Sequence, residues 1–208
     1  MFGVDVDTAA IDITDSARLK EWILACDVAA PLDMVIANAG RSGGTGEGPE
    51  TAAQVRTLVE TNVSGTINTV LPAAVCMRMR RHGHIIVVSS LAARLPFPST
   101  PTYSASKAFI RNWGLALRPD LARDGVRLTV VSPGYIATPM TVGNRHRMPF
   151  LLSAEQAAAY ILRRADRGPA EIAFPFRAVL ALHVLSLLPA DLLGRLMLLG
   201  PRKHALND

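Results

Sequence analysis

Short apolar runs alternate with stretches of helical periodicity along most of this chain, the pattern of a parallel sheet wrapped by helices. Ala10-Ile11-Asp12-Ile13 reads as the end of a strand, and a helix from about Ser16 to Val28 follows, with Thr14 or Asp15 as its cap. Met34 to Ala37 reads as a buried strand and Asn38 to Pro49 as a glycine-rich loop. A long helical stretch then runs from about Glu50 to Arg81, interrupted around Asn62 to Gly65. His84 to Ser89 is the next expected strand, with the continuous apolar run of a sheet covered on both faces.

Further along, a helix is expected from about Thr102 to Ala122, kinked or divided by Pro119. Leu128 to Val131 reads as a strand. Ser153-Ala154-Glu155-Gln156 has capping-box spacing and should open a helix to about Ala165, and Glu171 to Phe174 reads as a last strand. From Pro175 the composition changes: Ala178 to Gly200 holds ten leucines, broken by Pro189. The expected organisation is therefore one α/β domain over residues 1–174 and a helical appendage over 175–208. His183, Pro189, Asp191 and Arg195 argue against a membrane span there and favour two short amphipathic helices. These would serve as a lid, as a membrane-surface contact helped by Arg202 and Lys203, or simply as packing against the domain or a partner subunit.

The 208 residues are half apolar and carry 22 Lys and Arg against 17 Asp and Glu, a net charge of +5. That composition suits a folded domain and excludes disordered and collagen-like classes. Cys26 and Cys76 form no paired motif, and the five histidines show no ligand spacing, so neither a disulfide scaffold nor a metal site is expected. The densest basic cluster, Arg78, Arg80, Arg81, His82 and His84, lies where a helix should end near Gly83, and cations favour that end of a helix. With no interleaved aromatic residues it reads as a solvated helix end, and no nucleic-acid partner is expected. The start of the sequence has no signal-peptide pattern, so a cytoplasmic location is expected, with membrane association left open by the tail.

Candidate chemistry concentrates between Ser89 and Lys107. On a helix, Tyr103 and Lys107 are four residues apart and share a face. An ammonium beside a phenol favours the phenolate, which would turn the tyrosine into a usable acid or base. Ser90 falls at the carboxyl end of its strand, where open α/β sheets place ligands. Two hydroxyls converging on one oxygen suit carbonyl/alcohol interconversion, a reaction that needs a hydride carrier.

With these residues the sequence resembles the short-chain dehydrogenase/reductase family, in its classical branch. The resemblance covers Asp12 to about Phe174 and rests on several elements in order. These are Asp12-Ile13-Thr14-Asp15, Asn38-Ala39-Gly40, Asn62 in Thr61-Asn62-Val63-Ser64-Gly65, Ser90, Tyr103 and Lys107 as YxxxK, and Pro133-Gly134 with Ile136 and Thr138. The implied fold is a Rossmann-like doubly wound sheet, and the implied cofactor is NAD or NADP.

By that resemblance, Tyr103 donates or accepts the proton, Ser90 orients the substrate carbonyl, and Lys107 holds the nicotinamide ribose and lowers the tyrosine pKa. Asn62 positions a water in the proton relay. Asp12, with Ile13 beside it, contacts the adenine, while Asn38, Ala39 and Gly40 border the adenosine ribose. Pro133 and Gly134 form the turn before Ile136 and Thr138, which hold the carboxamide. Family members are often homodimers or homotetramers joined through two long helices, here the stretches Glu50–Arg81 and Thr102–Ala122. Each residue also has an ordinary reading: an amphipathic pair, a helix break, a strand-end cap, a local turn.

The family normally opens with a strand, a TGxxxGxG turn and a helix, and no such turn occurs here. About fifty residues, the first two βα units of the doubly wound sheet, are expected to be absent, which should leave the Met34–Ala37 strand at an exposed edge. Gly43-Gly44-Thr45-Gly46-Glu47-Gly48 is a poor replacement, because Glu47 would repel phosphate. A gene model begun too late is the favoured explanation, beside a fragment or a decayed paralogue. The expected function is an NAD(P)-dependent oxidoreductase acting on a small carbonyl or alcohol, which an apolar tail suggests is lipid-like. The alternatives are a non-catalytic binding or scaffold protein of the same fold, and a sugar-nucleotide epimerase of the extended branch.

Overall fold

The computed structural model describes residues 3–45, 48–142 and 148–199. Helix α1 (Ser16–Ala29) is capped by Asp15, whose carboxylate accepts from the Arg18 amide. Strand β1 (Met34–Ala37) leads to the glycine-rich loop and to α2 (Ala52–Val59), a π-helical turn (Glu60–Ser64) and α3 (Gly65–Arg80). Strand β2 (Gly83–Val88) and a 3-10 turn (Leu91–Arg94) precede the long α4 (Pro101–Arg123) and β3 (Val126–Pro133). A small pair, β4 (Ile136–Ala137) and β5 (Leu152–Ser153), brackets the short α5 (Pro139–Val142). Then come α6 (Ala154–Ala165), β6 (Glu171–Phe174), α7 (Phe176–Leu185) and α8 (Ala190–Leu198).

The main sheet is parallel throughout, in the order β1-β2-β3-β6. Alternation along its strands divides the core. Ile85 and Val87 of β2 and Leu128 and Val130 of β3 face α3 and α4, meeting Val70, Met77, Ile110 and Leu121. Ile86 and Val131 face the other way and meet Ala157 and Ala165 of α6. This is the expected Rossmann-like layering, and α1 packs on α3 through Leu19, Ile23 and Ala73. Among the described residues strand β1 is bonded only to β2, with Met34 and Ile36 exposed.

Several elements differ from those the sequence pattern predicts. Ala10 to Ile13 form no strand, because the described sheet offers them no partner and strand geometry is fixed by pairing rather than by local pattern. Glu50 does not start a helix: Thr51 caps α2, and the Glu50 carboxylate instead accepts from the amide and hydroxyl of Thr102 at the start of α4. The interruption at Asn62 is the π turn, after which α3 continues directly. Pro119 does not divide α4; one missing ladder bond is outweighed by burial of its helix face, Leu121 included. The helix before β2 ends at Arg81, as its expected bound has it, in a left-handed conformation, two residues short of Gly83.

The basic cluster is tied down residue by residue. Arg78 pairs with Asp120 and Asp124, Arg80 binds Asp27 and the Leu32 carbonyl, and Arg81 donates to the Arg123 carbonyl. His84 does not belong to it, being buried within β2.

Candidate active site

The site assembles at the carboxyl end of β2. That strand delivers Ser89 and Ser90 to the N-terminal half of α4, and Ser89 fixes the contact by donating its hydroxyl to the Lys107 carbonyl at 2.7 Å. Ser90 caps the 3-10 turn by accepting from the Ala92 amide, and it also shares a hydrogen bond with the Tyr103 phenol. Two of the expected residues, from different elements, therefore meet at one oxygen-lined point, and the strand-end cap holds true at the same time.

Lys107 lies one helical turn beyond Tyr103 and is only 5% exposed. Its ammonium donates to the Val88 carbonyl at 3.0 Å. Burial depresses its pKa to about 8, so most of it stays protonated at neutral pH. The Tyr103 phenol is shifted upward, first by burial and further by Tyr135, while the Ser90 hydrogen bond pulls it back. The raising influences prevail and Lys107 is not among the groups that shift the phenol, so the expected lowering of the tyrosine pKa by the lysine is corrected: burial of the ring outweighs it.

The π turn puts Asn62 beneath the glycine-rich loop. Its Oδ1 accepts from the Arg41 amide at 2.7 Å, and its Nδ2 donates to the Arg41 carbonyl and to Ser106 Oγ, each at 3.0 Å. Ser106 in turn donates to the Tyr103 carbonyl at 2.8 Å. Gly40 completes the corner: a Cβ there would lie 3.0 Å from Asn62 Oδ1 and 3.4 Å from Lys107 Nζ. Gly40, Asn62, Tyr103, Lys107 and Ser90 thus form one connected cluster. Asn38 and Ala39 are exposed at the end of β1, leading into it.

The remaining expected residues stand in local arrangements. Asp12 accepts from the amide and hydroxyl of Thr14, which together with Arg41 hold its carboxyl below the usual range. Ile13 fits against Gly65, and its carbonyl accepts from Asn68. Pro133 ends β3 beside Phe174, and the Gly134 amide donates to the Phe174 carbonyl, placing Gly134 close to Leu91 and Pro175. Ile136 and Thr138 sit in a turn held by Thr141, whose hydroxyl donates to the Ile136 carbonyl. Glu47, Arg202 and Lys203 lie outside the described residues.

A nicotinamide ribose fits what is present. The Lys107 ammonium has hydrogens beyond the one given to Val88, and the bare face of Gly40 leaves space beside them. The pyrophosphate end does not fit as well: the Gly43–Gly44 backbone is buried against Leu58 and Gln54. Ser89, Ser106 and Glu171 were not singled out from sequence. Ser89 and Ser106 adjoin residues that were, and only three-dimensional contact gives them a role.

Among the described residues no cluster of His, Cys, Asp and Glu could hold a metal ion, and no helix is long and apolar enough to cross a membrane. The family model described as short chain dehydrogenase matches residues 2–149. An uncharacterized oxidoreductase of Myxococcus xanthus is 37% identical over 194 residues, 91% of this chain and 76% of that protein. The serine 3-dehydrogenase of Agrobacterium fabrum is 34% identical over 138 residues, 64% of this chain and 54% of its own length. Among solved structures, a short chain dehydrogenase from Burkholderia cenocepacia in complex with NADP superimposes with a TM-score of 0.76 at 28% identity, covering 93% of this chain and 78% of that one.

Proposed function

The chain belongs to the short chain dehydrogenase family, and from that premise we propose that it interconverts a ketone or aldehyde with an alcohol using NAD or NADP. The observation that carries this reading is the hydrogen bond between Ser90 and Tyr103, with the buried ammonium of Lys107 one turn along the same helix face. The nicotinamide cofactor, when bound, supplies or receives the hydride.

Ser90 and Tyr103 converge on the substrate oxygen and stabilise the charge that develops there. Tyr103 gives its proton to that oxygen in reduction and takes it back in oxidation. Lys107 holds the ribose hydroxyls. Asn62 secures the loop at Arg41, and the proton path runs past it to solvent. Asp12 and Ile13 border the adenine, Asn38 to Gly40 its ribose, and the turn from Pro133 through Ile136 to Thr138 the carboxamide.

The catalytic unit is residues 1–174, and residues 175–208 form an appendage. Its α7 packs against the 3-10 turn that follows Ser90, which supports a lid over an apolar, lipid-like substrate. The outward face of α7 supports peripheral contact with a membrane on an otherwise cytoplasmic protein. Leu71, Val75 and Met79, exposed at four-residue spacing on α3, and Phe109 stacked on Trp113 of α4 support a homodimer or homotetramer through these helices. These 208 residues contain no TGxxxGxG turn, and we expect them to bind a dinucleotide weakly.

The test is fluorescence titration with NADH and NADPH, followed by turnover of long-chain alcohols with serine as the polar comparator, for this chain and for one extended upstream. In an active form, Tyr103→Phe should lower kcat/KM by about a hundredfold or more with an unchanged melting temperature. Full turnover by Tyr103→Phe would overturn the assignment.

A further inference from the structure

Glu171 opens β6 and is the meeting point of four hydrogen bonds. It accepts from Arg111 through Nε at 2.9 Å and Nη2 at 2.8 Å, from Arg94 Nη2 at 2.9 Å, and from Ser132 Oγ at 2.7 Å. The bidentate pair with Arg111 is the geometry that fixes orientation as well as distance. The side chain is only 16% exposed. Each donor belongs to a segment that carries part of the proposed site. Arg94 closes the turn begun by Ser90. Arg111 follows Tyr103 and Lys107 at the same four-residue spacing, on the same face of α4. Ser132 immediately precedes Pro133 and Gly134.

We infer that Glu171 is a positioning residue: it clamps the turn after Ser90 and the end of β3 to the Tyr103–Lys107 face of α4, and it balances two guanidiniums beside that face. The inference rests on the reading of Tyr103, Ser90 and Lys107 given above. The Lys107 ammonium donates to the Val88 carbonyl, and Tyr103 faces Ser90 and Tyr135. None of these side chains carries a compensating charge. Arg94, Arg111 and Ser132 are the groups that face Glu171. Burial is what lowers the Lys107 pKa in the intact protein; neutralising Glu171 would leave Arg94 and Arg111 unbalanced on the same helix face and so disfavour the Lys107 ammonium.

The chain has three lysines, Lys20, Lys107 and Lys203, so carbon-13 lysine labelling and NMR follow the Lys107 titration directly, assigned by its loss in Lys107→Arg. In Glu171→Gln the midpoint of Lys107 should fall by about half a pH unit or more. Adding Arg111→Met should return it toward the parent value, which a clamp acting through shape alone would not do. A folded Glu171→Gln with an unmoved midpoint overturns the inference. Should Glu171→Gln fail to fold, Arg111→Met alone should raise the midpoint, and no movement there overturns it equally. Absence of oxidoreductase turnover alongside a shifted Lys107 would count against the reading of the site and leave the role of Glu171 standing.

Discussion

Asn62 and Ser106 stand 44 positions apart in the chain and meet at 3.0 Å, the Asn62 amide donating to the Ser106 hydroxyl. The same carboxamide pairs with both backbone groups of Arg41, so one fully buried side chain joins the glycine-rich loop, the π turn and α4. Removing it takes one partner from a backbone N–H and one from a carbonyl at once. Asn62→Ala should cost about 2–4 kcal/mol, more than the roughly 1 kcal/mol expected for Ser106→Ala. Urea denaturation of the two variants checks the order; an equal loss would mean that Arg41 is satisfied by other groups.

The residues of the candidate site could be picked out because they lie on local spacings. Tyr103 and Lys107 follow the helical repeat, and Ser90 follows an unbroken apolar strand. The elements were legible for the same reason, down to the capping box at Ser153, where Gln156 and Ser153 bond reciprocally. What could not be read depends on distant partners. Ala10 to Ile13 look like a strand but pair with no strand among the described residues. Glu50 looks like a helix start but is drawn to Thr102. Glu171 gathers donors from residues 94, 111 and 132, a relationship that no window of sequence contains. The sheet order β1-β2-β3-β6 is likewise a property of the packed chain.

His84 sets a pH dependence. It is 1% exposed, with Nε2 2.9 Å from Thr129 Oγ1. Since that hydroxyl donates to the Pro169 carbonyl, the imidazole must be the donor and Nδ1 is left bare, without a partner among the described residues. Burial, and then Arg127, lower its pKa to about 4. The unfolded chain takes up a proton near pH 6.5 that the folded chain refuses until about pH 4. The stabilisation is therefore complete above pH 6.5 and is lost as pH falls toward 4, by at most roughly 3 kcal/mol. Urea midpoints measured from pH 7.5 to 4.5 should decline in the parent and stay flatter in His84→Gln. Parallel declines would assign the effect to other groups.

Gly125 links α4 to β3 and sits at φ +74°, where a Cβ would lie 2.3 Å from the Arg81 carbonyl oxygen. That neighbour is backbone and cannot swing aside, so an added methyl meets both strain and a clash. Gly125→Ala should destabilise by about 2 kcal/mol or more and lower the melting temperature by several degrees. A variant as stable as the parent would show that the turn can be rebuilt without disturbing the pairing of Val126 with Gly83.

The outward face of α7 is an apolar stripe. Phe176, Leu180, Val184 and, just beyond the helix, Leu187 are between 50% and 75% exposed and recur at the spacing of one helix face. The helix itself contains no acidic residue, and Arg177 stands beside Phe176. An apolar stripe with a cation beside it is what an interfacial helix presents to an anionic bilayer, combining buried area with attraction to the headgroups. The protein should float with phosphatidylserine vesicles at low salt and less with phosphatidylcholine alone. Leu180→Asp combined with Val184→Asp should reduce flotation about tenfold or more, with little change in melting temperature because both positions face solvent. If the parent remains with the dense fraction on both vesicle types while cross-linking shows dimers that the double variant loses, the stripe is covered by a second copy of the chain and membrane contact is refuted.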